Sequence, residues 1–152
     1  MNRRLTMSLL LIVSLFISTN TYAANDNKII QWTQNTLLST LSVSYQENKQ
    51  HDEFVQSNYT YNARQALHEF LGGYMVVIKN KQLTLHPQLN GPAEVLEAGI
   101  VKNSTFFDGI HYWRIHQAVL IPELNQNIEF TIVVIETLQK NYLIQALDMT
   151  LH

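Results

Sequence analysis

The sequence predicts an α+β fold in which helices come first and an antiparallel sheet follows. Apolar residues recur at helical spacing up to about residue 79, and they alternate with polar residues from about residue 83 to the C-terminus. Because the two patterns occupy separate parts of the chain, we expect the strands to pair with one another while the helices cover one face of their sheet. The chain has no cysteine, so side-chain packing alone must hold this fold.

The N-terminus has the order of a secretory signal peptide. Arg3 and Arg4 precede an uncharged apolar run over residues 5–17, and a small-residue cleavage site ends at Ala23. We expect residues 1–23 to be removed and residues 24–152 to form the mature domain. The alternative is an uncleaved membrane anchor, although the apolar run is shorter than the ~20 residues that span a bilayer core.

Length and charge limit the function classes. Removing residues 1–23 leaves 129 of the 152 residues, which is enough for one hydrophobic core. The removal also takes away two arginines and lowers the formal net charge from −2 to −4. Nucleic-acid binding is not expected, because it needs clustered lysine and arginine. An exported domain without cysteine is typical of a bacterial periplasm.

Helical spacing predicts a layer of about three helical pieces. The first runs over about residues 26–45, and the polar segment 46–56 either continues it or turns a corner. The second begins near Thr60, whose hydroxyl can cap it. The glycine pair at 72–73 is expected to end it. A short third helical turn is expected at residues 74–79.

The strand half of the chain begins at a rigid turn. Gly91 and Pro92 follow an alternating segment at residues 83–89, and we expect this turn to set the register of the next strand. Lys140 and Asn141 form a two-residue link of hairpin type. The predicted strands cover about residues 94–102, 110–121, 128–138 and 142–151.

The residue types that carry catalysis do not occur at catalytic or metal-binding spacing. His111 and His116 are five apart on one predicted strand, so they are expected to face opposite sides of the sheet. Glu94 and Glu97 are three apart and are expected to do the same. The chain has neither a glycine-rich phosphate loop nor a nucleophile elbow. We therefore predict no catalytic residue, no metal site and no cofactor.

The aromatic strand around Trp113 predicts one buried and one exposed set of side chains. Alternation places Trp113 with Ile115 on one face and Tyr112, Arg114 and His116 on the other. We predict that Trp113 is a core residue. The row of Tyr112, Arg114 and His116 is expected to face a protein partner, because tyrosine and arginine are enriched where proteins meet.

Three sequence stretches together are similar to one known family. They are the helix IIQWTQNTLLSTLSVSY with Trp32, the segment KNKQLTLHPQLNGPAEVLEAGIV, and the strand GIHYWRI. With the helix near residues 60–71 they cover nearly all of residues 27–150. The combination resembles the periplasmic domain of the IcmL/DotI proteins, which belong to Dot/Icm type IVB secretion systems and related conjugation machines of Gram-negative bacteria.

This resemblance implies a fold and a role. The fold is nuclear-transport-factor-2-like, with about three N-terminal helices on a strongly curved antiparallel sheet of about four strands. Gly91 and Pro92 are then structural turn residues, and Trp113 fills the bend of the sheet. The role is a non-enzymatic, periplasmic part of a secretion apparatus, with protein partners and a homo-oligomer as options. Membrane contact is expected only if the N-terminal segment is not cleaved.

A second function remains open at this point. The same fold has a cavity that can serve a small-ligand-binding or catalytic domain. A cavity filled by Trp113, Phe106 and leucines favours the interaction protein, whereas a polar cavity with convergent side chains favours the alternative.

Overall fold

The computed structural model describes residues 26–152, and the chain divides into two units, residues 1–32 and residues 33–152. Of the first unit, residues 26–32 are described, and they are helical. The predicted signal peptide and its cleavage site at Ala23 lie outside the described residues. Within residues 26–152 no helix has the length and apolar character needed to cross a membrane.

The described residues form three helices followed by five strands, which confirms the predicted α+β order. Residues 26–41 are helical (α1), α2 covers Lys49–Asn58, and α3 covers Tyr61–Asn80. Helix α2 is separate from α1 because the chain turns between them. Its start is capped by the side chain of Asn48, which accepts hydrogen bonds from the backbone N–H groups of Gln50 and His51.

The predicted helix end at Gly72 and Gly73 is wrong. Helix α3 continues through both glycines to Asn80, so the predicted second and third helical pieces are one helix. A glycine inside a helix costs about 1 kcal/mol relative to alanine, so the pair costs about 2 kcal/mol, which is within the range of about 1.5–3 kcal/mol that burying one large apolar side chain contributes. Ile78, beyond the pair, is fully buried. Its burial favours continuing the helix.

The strands are β1 Gln88–Leu89, β2 Glu94–Ile100, β3 His111–Ile121, β4 Gln126–Glu136 and β5 Tyr142–Leu151. All strand pairs are antiparallel, and β3 lies in the middle of the sheet. Strands β1 and β2 both pair with one side of β3, β4 pairs with the other side, and β5 is the outer neighbour of β4. A short 3-10 helix, Pro122–Leu124, joins β3 to β4.

Two details of the expected sheet need correction. The sheet has five strands, because the short segment Gln88–Leu89 also pairs with β3. It is also not strongly curled. The register of β3 with β4 runs unbroken from Tyr112 opposite Ile135 to Ile121 opposite Gln126. The centre of the sheet therefore lacks a bulge, the device by which strands bend sharply.

The core lies on the inner face of the sheet, where β3 and β4 present fully buried side chains to the helices. Phe70 of α3 meets Phe130 of β4 edge-on, with ring centroids 6.4 Å apart. The junction of α2 and α3 is fixed to β5, since the backbone N–H of Thr60 donates to Ile144 O at 3.0 Å. The fully buried residues of β3 and β4 are Ile115, Gln117, Val119, Ile121, Ile128, Phe130, Ile132 and Val134.

Candidate functional site

Strand β3 presents opposite sets of side chains to the two faces of the sheet. On the inner face Trp113 is 5% exposed and Ile115 is fully buried. On the outer face, which the helices do not cover, the side chains of Arg114 and His116 are 48% and 34% exposed. Tyr112 shares this outer face. Alternation along β3 thus places Tyr112, Arg114 and His116 on the same face. That these residues contact a protein partner stays a prediction.

Trp113 is surrounded by other side chains of the sheet. Its ring meets that of Tyr142 edge-on at 5.9 Å between centroids and stacks near His111 at 6.3 Å. In the strand register it lies between Ala98 and Val134. These contacts leave no open face on which the indole could stack a ligand. The structural role assigned to Trp113 is a prediction that a substitution can measure.

The turn at Gly91 and Pro92 is tied to the centre of β3. Gly91 has a φ of +89°, a conformation that glycine adopts at little cost. Its carbonyl oxygen accepts a 3.1 Å hydrogen bond from Nε2 of Gln117, which is fully buried. Oε1 of Gln117 in turn accepts from Nε2 of Gln34 at 2.8 Å. These hydrogen bonds attach the turn to β3, and so they help to fix where β2 begins relative to β3.

A β-bulge brings Glu94 and Glu97 to the same face of the sheet. Glu94 lies opposite His116 and Glu97 lies opposite Arg114, two residues that both point outward. The expectation that these carboxylates face opposite sides is wrong, because the register shifts at Leu96 and the extra residue changes the alternation. The outer face thereby gains two acidic groups.

Glu97 is the centre of a polar cluster with two of the predicted partner-facing residues. Its Oε2 lies 3.1 Å from Nη2 of Arg114, and its Oε1 accepts a 2.6 Å hydrogen bond from the Tyr112 hydroxyl. This hydrogen bond is the main reason why the pKa of Tyr112 is raised; desolvation and the Glu97 charge act in the same direction and Arg114 opposes them. The Tyr112 ring passes over Gly99, where a Cβ would come within 3.3 Å of Cε1.

A second polar group on the outer face joins two histidines to one carboxylate. Nε2 of His116 lies 3.6 Å and Nε2 of His152 lies 3.4 Å from Oε2 of Glu129. The charge of this group depends on how many of the imidazoles are protonated. Within residues 26–152 no three His, Cys, Asp or Glu side chains are arranged to hold a metal ion.

An apolar pocket of about 390 Å³ lies beside Tyr112 at one end of the outer face. Val133 and Ile135 of β4 line it, and Gln145 of β5 contributes a buried Oε1 that has no hydrogen-bond partner within the described residues. Gln145 is the extra residue of a second bulge, between β4 and β5. An apolar side chain with a neighbouring N–H group would fill the pocket and satisfy this oxygen.

Sequence reasoning missed Glu97 and Gln145 for the same reason. Both depend on bulges, and a bulge changes which face a residue occupies without changing the residues themselves. For Glu97 the sequence held one usable signal, since Gly99 inside a strand indicates a bulge or a close contact. For Gln145 no comparable signal is present.

The filling of the cavity was expected to separate an interaction protein from a ligand-binding or catalytic domain, and the two aromatic residues concerned behave differently. Trp113 is buried as an interaction protein requires, but Phe106 is 85% exposed and does not fill a cavity. A larger cleft of about 820 Å³ lies instead beside the helices α2 and α3. A ligand-binding or catalytic function would therefore have to use that cleft.

No protein-family model and no curated protein sequence matches the chain. Solved structures do match its fold. The periplasmic domain of DotI superposes with a TM-score of 0.61 at 14% identity, over 82% of this chain and 94% of that one. This chain has the fold of the DotI periplasmic domain. An IcmL-like type IV secretion system protein from Legionella pneumophila matches with a TM-score of 0.55 at 12% identity, over 83% of this chain and 92% of that one.

The matches confirm the resemblance that the sequence predicted, at the level of the fold. The shared region extends over most of both chains, so it includes the helices as well as the sheet. At an identity below 15%, most structurally equivalent positions carry different residues. The residues of the outer face therefore have to be judged by their own chemistry.

Proposed function

We propose that the chain is a non-enzymatic periplasmic protein that associates with a type IVB secretion or conjugation apparatus in a Gram-negative bacterium. The observation that carries the proposal is the fold match to the DotI periplasmic domain over 94% of its length. The match to an IcmL-like type IV secretion system protein also supports it. The order of three helices and an antiparallel sheet further supports a nuclear-transport-factor-2-like class, with a flatter sheet than expected.

The outer face of the sheet is the surface by which the protein would capture its partner. Tyr112 and Arg114 are held in fixed positions by Glu97, so little side-chain entropy would be lost when they bind. The adjacent apolar pocket provides a place for one buried side chain, which is the usual centre of an interaction surface. A second copy of the chain is one candidate partner, and another secretion component is the other.

The proposal includes export and cleavage. Residues 1–23 are the signal peptide and residues 24–152 the periplasmic domain in this proposal; the uncleaved inner-membrane anchor is the alternative. The mature protein from a Gram-negative host should begin at Ala24 when its intact mass is measured. Recovery of chains that begin at Met1 in the membrane fraction would support the anchor instead.

Partner capture can be tested by substituting the outer face. The double variant Tyr112→Ala, Arg114→Ala should lose at least about tenfold in cross-linked partner, because it removes two large side chains held at the proposed surface. The cross-linking is carried out in cells that carry the secretion apparatus, and the captured protein is identified by mass spectrometry. Periplasmic abundance of the variant is followed in the same cells.

A control pair removes an aromatic and a basic residue from another surface. Tyr61→Ala with Lys81→Ala changes the first residue of α3 and the residue that follows its end, and it should leave capture unchanged. The single variants His111→Ala, His116→Ala and Glu136→Ala test the non-enzymatic part of the proposal. If one of these abolishes function while the protein remains folded and abundant, the non-enzymatic proposal is wrong.

A further inference from the structure

The cleft of about 820 Å³ lies on the helical side of the molecule. Helix α3 forms one wall, and α2 with the segment 42–48 forms the opposite wall. Its volume of about 820 Å³ lies within the range of pockets that hold small organic ligands. The cleft does not involve the outer face of the sheet, so a ligand here is independent of the proposed partner surface.

Arg64 is a cation in this cleft that has no anionic partner among residues 26–152. Its Nε is buried and has no hydrogen-bond partner within the described residues, and no carboxylate of those residues forms an ion pair with its guanidinium. Its guanidinium lies over the ring of Tyr61, whose centroid is 5.9 Å from Cζ. A partly buried charge that is left unpaired is costly, and a guanidinium has five donors to satisfy. A carboxylate that enters the cleft would accept hydrogen bonds from two of these donors.

The other charges of the cleft limit what that anion can be. Lys79 adds a second positive charge, and Glu47 and Asp52 add two negative ones. With histidines neutral, these four formal charges sum to zero. Neither carboxylate forms an ion pair with Arg64, however, so the guanidinium is still able to bind an anion. A phosphate dianion or a polyphosphate would meet repulsion from both carboxylates. A single carboxylate matches the planar fork of one arginine.

The lining also has an apolar part. Val55, Leu67, Leu71 and Met75 line the cleft along its length. Arg64 and Met75 are eleven residues apart on α3, which corresponds to about 16 Å along the helix axis. A ligand with its charged group at Arg64 would therefore have room for an apolar body that extends towards Met75.

We propose that this cleft binds an amphipathic monocarboxylate, with the carboxylate on Arg64 and the apolar body along α3. Two sources can supply this chemistry. One is a free organic acid with an alkyl or aromatic body, and the other is the C-terminal carboxylate of a polypeptide that ends in apolar residues. Both place the same group on the same guanidinium.

The test compares three probes by calorimetric titration of the full chain. Octanoate carries both parts of the proposed ligand, octan-1-ol carries the apolar part, and acetate carries the carboxylate. Octanoate should bind saturably and at least about tenfold more tightly than octan-1-ol, because the charge-assisted hydrogen bonds to Arg64 are lost with the alcohol. Acetate should be weaker than octanoate by a similar factor, since it leaves the apolar wall uncovered.

Arg64→Gln should remove the preference for octanoate over octan-1-ol and leave octan-1-ol binding unchanged. Arg114→Gln, the same change on the outer face, should leave both affinities unchanged. Equal binding of octanoate and octan-1-ol by the parent protein would overturn the proposal without any variant. A preference that persists in folded Arg64→Gln would overturn the role of Arg64.

The two sources are distinguished by a further pair of probes. Acetyl-Ala-Leu-Leu with a free carboxylate is compared with its C-terminal amide and with octanoate. Tighter binding of the free-carboxylate peptide than of octanoate identifies a polypeptide C-terminus as the ligand. Tighter binding of octanoate identifies a free acid. Equal binding of the peptide and its amide, together with no preference for octanoate over octan-1-ol, contradicts a carboxylate site.

Discussion

The hydroxyl of Tyr112 on β3 donates a 2.6 Å hydrogen bond to Oε1 of Glu97 on β2. This bond joins neighbouring strands on the outer face and exists because the bulge at Leu96 turns Glu97 outward. The same carboxylate holds Arg114 through its other oxygen. One acidic side chain that sequence alternation places on the wrong face thus organises two of the three residues predicted to face a partner.

The first prediction concerns the ionisation of Tyr112. Because the hydrogen bond to Glu97 raises the pKa of Tyr112, Glu97→Ala should lower that pKa towards its ordinary value near 10. The titration can be followed by NMR of the tyrosine ring carbons, with Tyr112→Phe used to assign the signal. In the parent, the contribution of this bond to stability is complete below pH 10 and is lost as the pH rises through the folded-state pKa of Tyr112.

Glu94→Ala is the matched control for this prediction. It removes a carboxylate from the same strand and the same face, opposite His116 and away from the Tyr112 hydroxyl. The Tyr112 titration should be the same in this variant as in the parent. An unchanged titration in Glu97→Ala as well would mean that the bond does not persist in solution.

The second prediction concerns Trp113. Trp113→Ala should lower the free energy of unfolding by about 3–5 kcal/mol, as other large-to-small substitutions in cores do. Phe106→Ala also removes an aromatic side chain from the sheet half of the chain, but its ring is 85% exposed. It should change stability by less than about 0.5 kcal/mol. Urea unfolding of both variants measures the difference. If Trp113→Ala unfolds like the parent but loses partner capture, Trp113 has a functional role and not a structural one.

How much of the fold could be predicted depends on how local its causes are. The change from helical to strand periodicity is written into the order of apolar residues, and it gave the α+β order correctly. The opposite placement of Trp113 and Tyr112 follows from simple alternation along one strand. Neither of these inferences needs knowledge of distant residues.

The features that could not be predicted have causes elsewhere in the chain. Helix α3 continues through Gly72 and Gly73 because burying Ile78 offsets the local preference of glycine. The bulge at Gln145 depends on how β5 pairs with β4, and the position of Arg64 in a cleft depends on where α2 lies. Contacts between distant elements decide all three.

The third prediction concerns a buried hydroxyl pair between the helices. Tyr59 is 2% exposed, and its hydroxyl donates to Oγ1 of Thr40 at 2.9 Å. Tyr59→Phe should cost about 1 kcal/mol near pH 8, since Oγ1 of Thr40 loses a donor. Burial raises the pKa of Tyr59, and the hydrogen bond with Thr40 lowers it by a smaller amount. The unfolded chain therefore ionises at this position first.

The parent therefore loses stability as the pH rises above 10, because ionisation of Tyr59 favours the unfolded chain. Tyr59→Phe has no hydroxyl at this position and does not show this loss. Urea unfolding should show that the stability difference between the parent and Tyr59→Phe is smaller at pH 11 than at pH 8, or reversed. Tyr61→Phe, whose ring is 66% exposed, serves as the control and should not show this trend. A difference that stays constant between the two pH values would mean that the Tyr59 hydroxyl is not buried in solution.

The last prediction concerns Glu123, which holds the segment before β1 against the 3-10 helix. Its Oε1 lies 2.7 Å from Nδ1 of His86, and its Oε2 accepts a 3.1 Å hydrogen bond from the His86 backbone N–H. Burial acts to raise the pKa of Glu123, but these hydrogen bonds and the charge of His86 together lower it below its ordinary range. The ionised form is therefore the one that the fold stabilises.

A lowered pKa in the folded state gives stability that is present above the ordinary pKa of glutamate and is lost as the pH falls through the folded value. Glu123→Gln should cost about 1 kcal/mol at pH 5, a modest figure because the His86 side chain is 73% exposed. The cost should shrink as the pH is lowered from 5 to 2.5, since the parent carboxyl becomes protonated as the pH falls through its folded-state pKa. Glu136→Gln breaks a surface pair with the largely exposed Lys140 and should change stability by less than about 0.5 kcal/mol at either pH. Equal destabilisation by Glu123→Gln at pH 5 and pH 2.5 would show that packing, and not the charge of Glu123, holds this segment.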